Sequence, residues 1–299
     1  MTSWLAAALT GATLIAPASA HAQEGAVRLE TSKALQRSAH AVAPRPEDAD
    51  DDRSRAYSDG CLVSFGGRRS PDCVYGDTAS DTTVILFGDS HALQYFRALE
   101  AIAIERGWRL VHLAKAGCPP SRARIRPSTR ERYHRVCSEW RERALGRMRR
   151  EEPALVVASG STHYEAYEGS RMLSPRASLL ALARGYVSTL ERLTDVAPKV
   201  VVIRDSPRPP FDVPTCVAGA LDRLRHCAFG KRTAMPSPDV ITRAVGRVAG
   251  VTVVDPTSQL CPRRLCPAVI GDVLVWRNTA HLTATYAGTM ARWLGRRLP

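Results

Sequence analysis

From Val84 onward the chain alternates short apolar runs with longer amphipathic ones, and this alternation constrains the fold more than any other feature. Val84 to Phe87, Arg109 to Ala114, Ala154 to Ser159, Lys199 to Arg204 and Val251 to Val254 read as five buried strands. Between them lie helical stretches from His91 to Arg106, from about Arg130 to Arg149, from Pro175 to Thr194 and near Pro238 to Val248. A last helix begins at or just after His281 and runs to about Arg296. Strands that alternate with helices predict an α/β fold, a three-layer α/β/α sandwich around a five-stranded, mainly parallel sheet. With 299 residues and 44% hydrophobic composition, the chain can bury a core of that size. Sheets of this kind bind ligands beyond the carboxyl ends of their strands, so chemistry is expected just after Phe87, Ala114, Ser159, Arg204 and Asp255.

The N-terminal region has a different grammar. Trp4 to Pro17 is small and apolar, and Ala18-Ser19-Ala20 and Ala20-His21-Ala22 both match an A-x-A cleavage pattern. Residues 1–22 read as a secretory signal peptide. A retained anchor, or the tail of a membrane segment in a chain with a misassigned start, is the alternative, because no Lys or Arg precedes the apolar run. Residues 23–58 are rich in Ala, Pro, Arg and acid, contain the charge block Glu47 to Asp52, and lack periodicity; they read as a disordered linker. Residues 59–299 then form the folded domain.

Eight cysteines in an exported chain favour disulfides. They fall into sequential couples, and nearest-neighbour pairing predicts Cys61–Cys73, Cys118–Cys137, Cys216–Cys227 and Cys261–Cys266. A metal site on Cys261 and Cys266 is disfavoured by the loose spacing and the oxidising compartment. The net charge of +13 invites a nucleic-acid reading, but 38 of the 42 basic residues are arginines scattered along the chain. No RNA-binding signature, zinc-finger spacing or aromatic ladder accompanies them, so no nucleic-acid partner is expected. Attraction to anionic envelope polymers is the more plausible use of the charge.

Three short blocks carry the chemistry. Gly88-Asp89-Ser90-His91 follows the first strand and puts Ser90 where a strand turns into a helix; a plain N-cap serine is the bland alternative. Ala116-Gly117-Cys118-Pro119-Pro120 follows the second strand and offers a glycine N–H to a ligand, or simply a turn. Near the C-terminus, His281 sits where a loop enters the last helix, a place from which a base can reach a serine at the same sheet edge.

Taken together, VILFGDSHALQYFRALEAIA, AGCPP and HLTATYA resemble the SGNH (GDSL-like) hydrolase superfamily. The closest resemblance is to the SGNH domain fused behind membrane O-acyltransferases of acyltransferase family three, and it covers roughly Cys61 to Leu298. The resemblance implies a flavodoxin-like α/β/α fold, Ser90 as nucleophile, Gly117 as an oxyanion donor beside the Ser90 N–H, and His281 as base. It implies hydrolysis or transfer of acyl esters, often acetyl groups on envelope carbohydrate, with no metal and no cofactor. A separately encoded membrane acyltransferase would be a fitting partner, and the domain itself is expected to be a monomer.

Two positions depart from the family pattern. The aspartate that usually orients the histidine, three residues before it, is Asn278 here. In a serine protease the corresponding Asp-to-Asn change costs about 10⁴ in rate, because the wrong tautomer is favoured. Asn278 is therefore either a slow orienter or is replaced by another carboxylate, with Asp272 and Asp255 as candidates. The asparagine that usually donates to the oxyanion is absent, since Asn278 is the only asparagine in the chain. Thr162 or Ser161, after the third strand, is the expected substitute, although relatives fused to acyltransferases often lack this block too. His91 reads as structural or pocket-lining, and His163 and Tyr164 as sugar contacts; Glu165 and Glu168 weakly suggest a glycosidase pair. The competing function is a catalytically inactive carbohydrate-binding module.

Overall fold

The computed structural model describes residues 24–30, 32, 34–125, 133–235 and 239–299. The expected signal peptide lies outside the described residues, as does the start of the helix expected from Arg130. No described helix is long and apolar enough to cross a membrane.

All five expected strands form, and two short ones join them. In chain order the sheet contains β1 (Leu62–Val63), β2 (Val74–Gly76), β3 (Thr83–Gly88), β4 (Arg109–Lys115), β5 (Leu155–Ser159), β6 (Val200–Ile203) and β7 (Val251–Val254). Their spatial order is β1-β4-β3-β5-β6-β7, all parallel, while β2 pairs antiparallel with the first half of β4. The sheet therefore has seven strands rather than five. Two- and three-residue strands leave too short an apolar run to be read from pattern, and Cys61–Cys73 ties that stretch of chain together. All four nearest-neighbour disulfides are present.

Every residue of β3 is buried, because helices cover both faces of the sheet. Val84 and Leu86 point into one core with Phe96, Leu99 and Ile102; Ile85 and Phe87 point into the other with Trp140, Leu145 and Met148. This period-two division is what a strand imposes on a continuous apolar run. Each fully buried Leu, Ile or Phe contributes about 2 kcal/mol relative to exposure. The flanking helices are α1 (Ser90–Leu93), α2 (Phe96–Arg106), α3 (Tyr133–Glu151), α4 (Pro175–Thr194), α5 (Val240–Val245), α6 (Ala284–Thr289) and α7 (Ala291–Gly295). The last helix begins later than expected, since Thr283 caps it by accepting from Tyr286 N–H at 3.0 Å, leaving His281 on the preceding loop.

The chain runs from β3 to β4 on one side and then returns to β5 on the other. Sheets of this kind bind ligands beyond the strand ends where the winding reverses, and Ser90 stands at that place, just past the end of β3.

The described residues of the expected linker, 24–30, 32 and 34–58, pack against the domain rather than standing apart as a disordered arm. Gly25–Glu30 and Pro46–Asp51 form 3-10 helices and Arg55–Ser58 a helical turn, with Ala26, Leu29, Val42, Ala49 and Ala56 buried in the first core. Asp52 accepts hydrogen bonds from Thr285 N–H (2.9 Å) and Thr285 Oγ1 (3.1 Å), fastening the segment to the start of α6. Small residues with no periodic pattern suffice here, because the segment packs as an irregular strap on an existing surface. Replacing fully buried Ala49 by Arg is expected to destabilise the protein by about 2 kcal/mol or more, read as a lower urea midpoint. An unchanged midpoint would mean that the strap is not packed.

Candidate active site

The turn after β3 depends on Gly88. Its φ is 151°, and a Cβ there would lie 1.8 Å from the carbonyl oxygen of Ser159 on neighbouring β5. Only glycine lets the two strand ends approach this closely. Asp89 follows as the N-cap of α1, accepting from His91 N–H at 2.8 Å, and Ser90 is the first helical residue, half-buried. The Asp89 carboxylate is fully buried and also accepts from Ser161 N–H (3.0 Å) and the Tyr164 hydroxyl (2.8 Å). Burial raises its pKa, against the pull of nearby His91 and these donors.

His281 reaches the same place from the other end of the chain. Its loop is closed by a hydrogen bond from Arg277 N–H to the His281 carbonyl (3.0 Å), and Leu282 N–H donates to Gln94 Oε1 (3.1 Å), docking the loop on the end of α1. His281 Nε2 then lies 2.9 Å from Ser90 Oγ, and Nδ1 lies 3.2 Å from Asn278 Oδ1. Asn278 Oδ1 also accepts from Ala280 N–H (3.0 Å) and His281 N–H (2.9 Å). A flipped amide would turn its NH2 against those two donors, so the oxygen must face His281. An acceptor at that side calls for the Nδ1–H tautomer and leaves the Nε2 lone pair facing the serine hydroxyl. The tautomer problem that an asparagine creates in serine proteases is thereby avoided. The Asn278 NH2 donates to Asp50 Oδ1 at 3.0 Å.

Burial, with His91 and Arg277 close by, pulls His281 from its ordinary range down to about 2. These surroundings favour the neutral imidazole. His91 is its neighbour, with ring centroids 4.9 Å apart, and His91 Nδ1 lies 2.7 Å from buried Asp205 Oδ1. Burial alone would lower His91, but the Asp205 carboxylate outweighs it and holds His91 above its ordinary value. Asp205 is itself held low despite its burial by His91 and by Thr162 N–H.

Gly117 lies two residues beyond β4, the strand whose Ala114 pairs with Gly88. Its φ of 65° favours glycine, and an added Cβ would come within 2.8 Å of the Phe65 ring. Thr162 does not serve as an oxyanion donor: its N–H (2.7 Å) and its hydroxyl (2.9 Å) are both committed to Asp205 Oδ2. Ser161 donates its N–H to Asp89 and accepts from His163 N–H through Oγ at 3.2 Å. Tyr164 gives its hydroxyl to Asp89 and, with His163, Glu165, Met172, Leu173 and Arg208, lines a cavity of about 360 Å³. Glu168 pairs with Arg171 on an exposed hairpin and forms no carboxylate pair with Glu165. Neither expected substitute carboxylate reaches His281. Asp255 is tied to Arg204 and Thr257, and Asp272 accepts from Glu24 N–H.

Asp50 and Asp205 escaped the sequence reading. Asp205 carried a positional signal, since it immediately follows the fourth strand at the ligand-binding edge. Asp50 carried only its membership of the Glu47 to Asp52 charge block.

The buried His91–Asp205 pair makes stability depend on pH. Because the folded pKa of His91 is raised, its contribution is complete below about pH 6.5 and is lost as pH rises through the folded value. Asp205→Asn is expected to lower the His91 midpoint in a ¹⁵N histidine titration and to cost about 3 kcal/mol near pH 6, shrinking at higher pH. A midpoint unmoved by the substitution would refute the pair. Separately, Gly88→Ala should destabilise by about 3 kcal/mol or more, measured by thermal or urea unfolding.

No curated protein matches the chain. Solved structures do resemble it. The periplasmic domain of a lipopolysaccharide acetyltransferase from Salmonella ser. Paratyphi A matches with a TM-score of 0.54 at 14% identity, covering 81% of this chain and 87% of that one. The carbohydrate acetylesterase Est24 of Sinorhizobium meliloti matches with a TM-score of 0.44 at 15% identity, covering 72% and 97%. The family described as SGNH domain (fused to AT3 domains) matches residues 58–295. With the strand order, the Gly88-Asp89-Ser90 turn and the Ser90–His281 contact already in place, this chain belongs to that SGNH domain family.

Proposed function

We propose that the protein is an exported serine esterase or O-acyltransferase that acts on acyl esters, chiefly acetyl esters, of cell-envelope carbohydrate through a Ser90 acyl-enzyme. The observation that carries the reading is the 2.9 Å contact between Ser90 Oγ and His281 Nε2, with His281 held as the Nδ1–H tautomer. In the first half-reaction Ser90 Oγ bonds to the acyl carbon and its proton passes to His281 Nε2. The carbonyl oxygen becomes an oxyanion, stabilised by the N–H groups of Ser90 and Gly117. The C–O bond to the leaving alcohol then breaks, and His281 returns the proton to that oxygen. Water or a sugar hydroxyl reverses these steps on the acyl-enzyme, giving hydrolysis or transfer.

Family membership, four disulfides and the apolar start of the sequence support an exported, envelope-facing protein. The cavity beside Thr162, polar on one wall at His163, Glu165 and Arg208 and apolar at Met172 and Leu173, suits a sugar bearing a short acyl group. The similarity to a lipopolysaccharide acetyltransferase domain supports a carbohydrate acceptor and a membrane acyltransferase as partner.

A fluorophosphonate probe read by intact mass tests the nucleophile. One adduct is expected, absent in Ser90→Ala and reduced by about 10³-fold or more in rate in His281→Ala. An adduct that survives Ser90→Ala would sink the assignment; a folded protein that takes none would point to a carbohydrate-binding module. The depressed pKa of His281 adds a second expectation: the labelling rate stays level from about pH 8 to about pH 5, where an unperturbed histidine would lose it near 6.5.

A further inference from the structure

We infer that Asp50 is a positioning residue of the catalytic relay: it holds the Asn278 amide and supplies, from the far end of the chain, the negative charge that a carboxylate beside His281 would otherwise provide. The inference rests on Ser90 and His281 acting as nucleophile and base.

Asn278 is neutral, so by itself it orients His281 without stabilising the imidazolium that forms when Ser90 gives up its proton. The charges nearest His281 make that cation harder to form. Buried Arg277 sits on its own loop, Arg53 on the N-terminal strap and His91 on α1; all three oppose protonation, and Asp205, beyond β6, favours it. Asp50 stands among these cations. Its Oδ1 takes the Asn278 NH2 at 3.0 Å and lies 3.4 Å from Arg277 Nη1, while Oδ2 lies 2.7 Å from Arg53 Nη2. One carboxylate therefore offsets the two guanidiniums and polarises the amide so that its oxygen, facing His281, becomes more negative. The hydrogen bond from Asn278, with the two arginines, holds Asp50 below the usual carboxylate range and so favours its anionic form. The position is fixed on both sides, by buried Ala49 and by the bonds of Asp52 to Thr285.

A four-member cycle on the full chain tests this: wild type, Asp50→Asn, Asn278→Asp and the double variant. The readouts are fluorophosphonate labelling rate, kcat and KM on an aryl acetate, and melting temperature. With Asn at 278, Asp50→Asn is expected to lower labelling and kcat about tenfold with KM unchanged. With Asp at 278 the same change should raise both, because two carboxylates would otherwise face each other across one hydrogen-bond distance. Asn278→Asp should also raise the midpoint of the acid limb in the pH profile, which a purely structural part would not move. Asp50→Asn within twofold of wild type, or an equal loss in both backgrounds, overturns the inference. Labelling that is absent in wild type, or that survives Ser90→Ala, condemns the Ser90–His281 reading instead. In that case ¹⁵N spectra of Asp50→Ala decide for Asp50: loss of the Nδ1–H tautomer at His281 supports its positioning role, and retention refutes it.

Discussion

The site hangs on one buried carboxylate. Asp89 is completely excluded from solvent, yet it accepts from His91 N–H, Ser161 N–H and the Tyr164 hydroxyl. A carboxyl in such a place would be costly without these donors, so the three elements that supply them are held together by the need to satisfy it. The first bond shapes the turn that presents Ser90. The second fastens the loop after β5 to the turn after β3, across strand ends already in contact at Gly88 and Ser159. The third brings in the wall of the neighbouring cavity. Asp89 thus joins the parallel sheet to the geometry of the crevice.

A second buried carboxylate repeats the device two strands further along. Asp205 gathers His91 Nδ1 and both donors of Thr162, and so orients the residue next to Ser90. Both donors of Thr162, one of the residues the sequence offers after β5, are thereby occupied in scaffolding.

Much of this was legible in the sequence. The buried strands stand out because both faces of the sheet are covered, which makes β3 and β5 unbroken apolar runs. Ser90, Gly117 and His281 stand out because their blocks follow strand ends or precede a helix cap, places defined by local pattern. The short strands Leu62–Val63 and Val74–Gly76 were not legible, being too brief to show periodicity. Asp50 was not legible either: its partner Asn278 lies 228 residues away, and a tertiary hydrogen bond leaves no periodic trace. The composition of residues 23–58 was misleading, since alanines with prolines and charges suit a strap pressed onto a finished core as well as they suit disorder.

Those contacts are distant in sequence. Ser90 and His281 are 191 residues apart, and the strap that holds Asn278 through Asp50 belongs to the opposite end of the chain. Closing loops of this length costs chain entropy that the packed helices and sheet must offset. A chain that ends before His281 therefore carries Ser90 without the imidazole that stands 2.9 Å from it in the fold. The contact between them is a property of the folded molecule alone, assembled from both ends of the sequence.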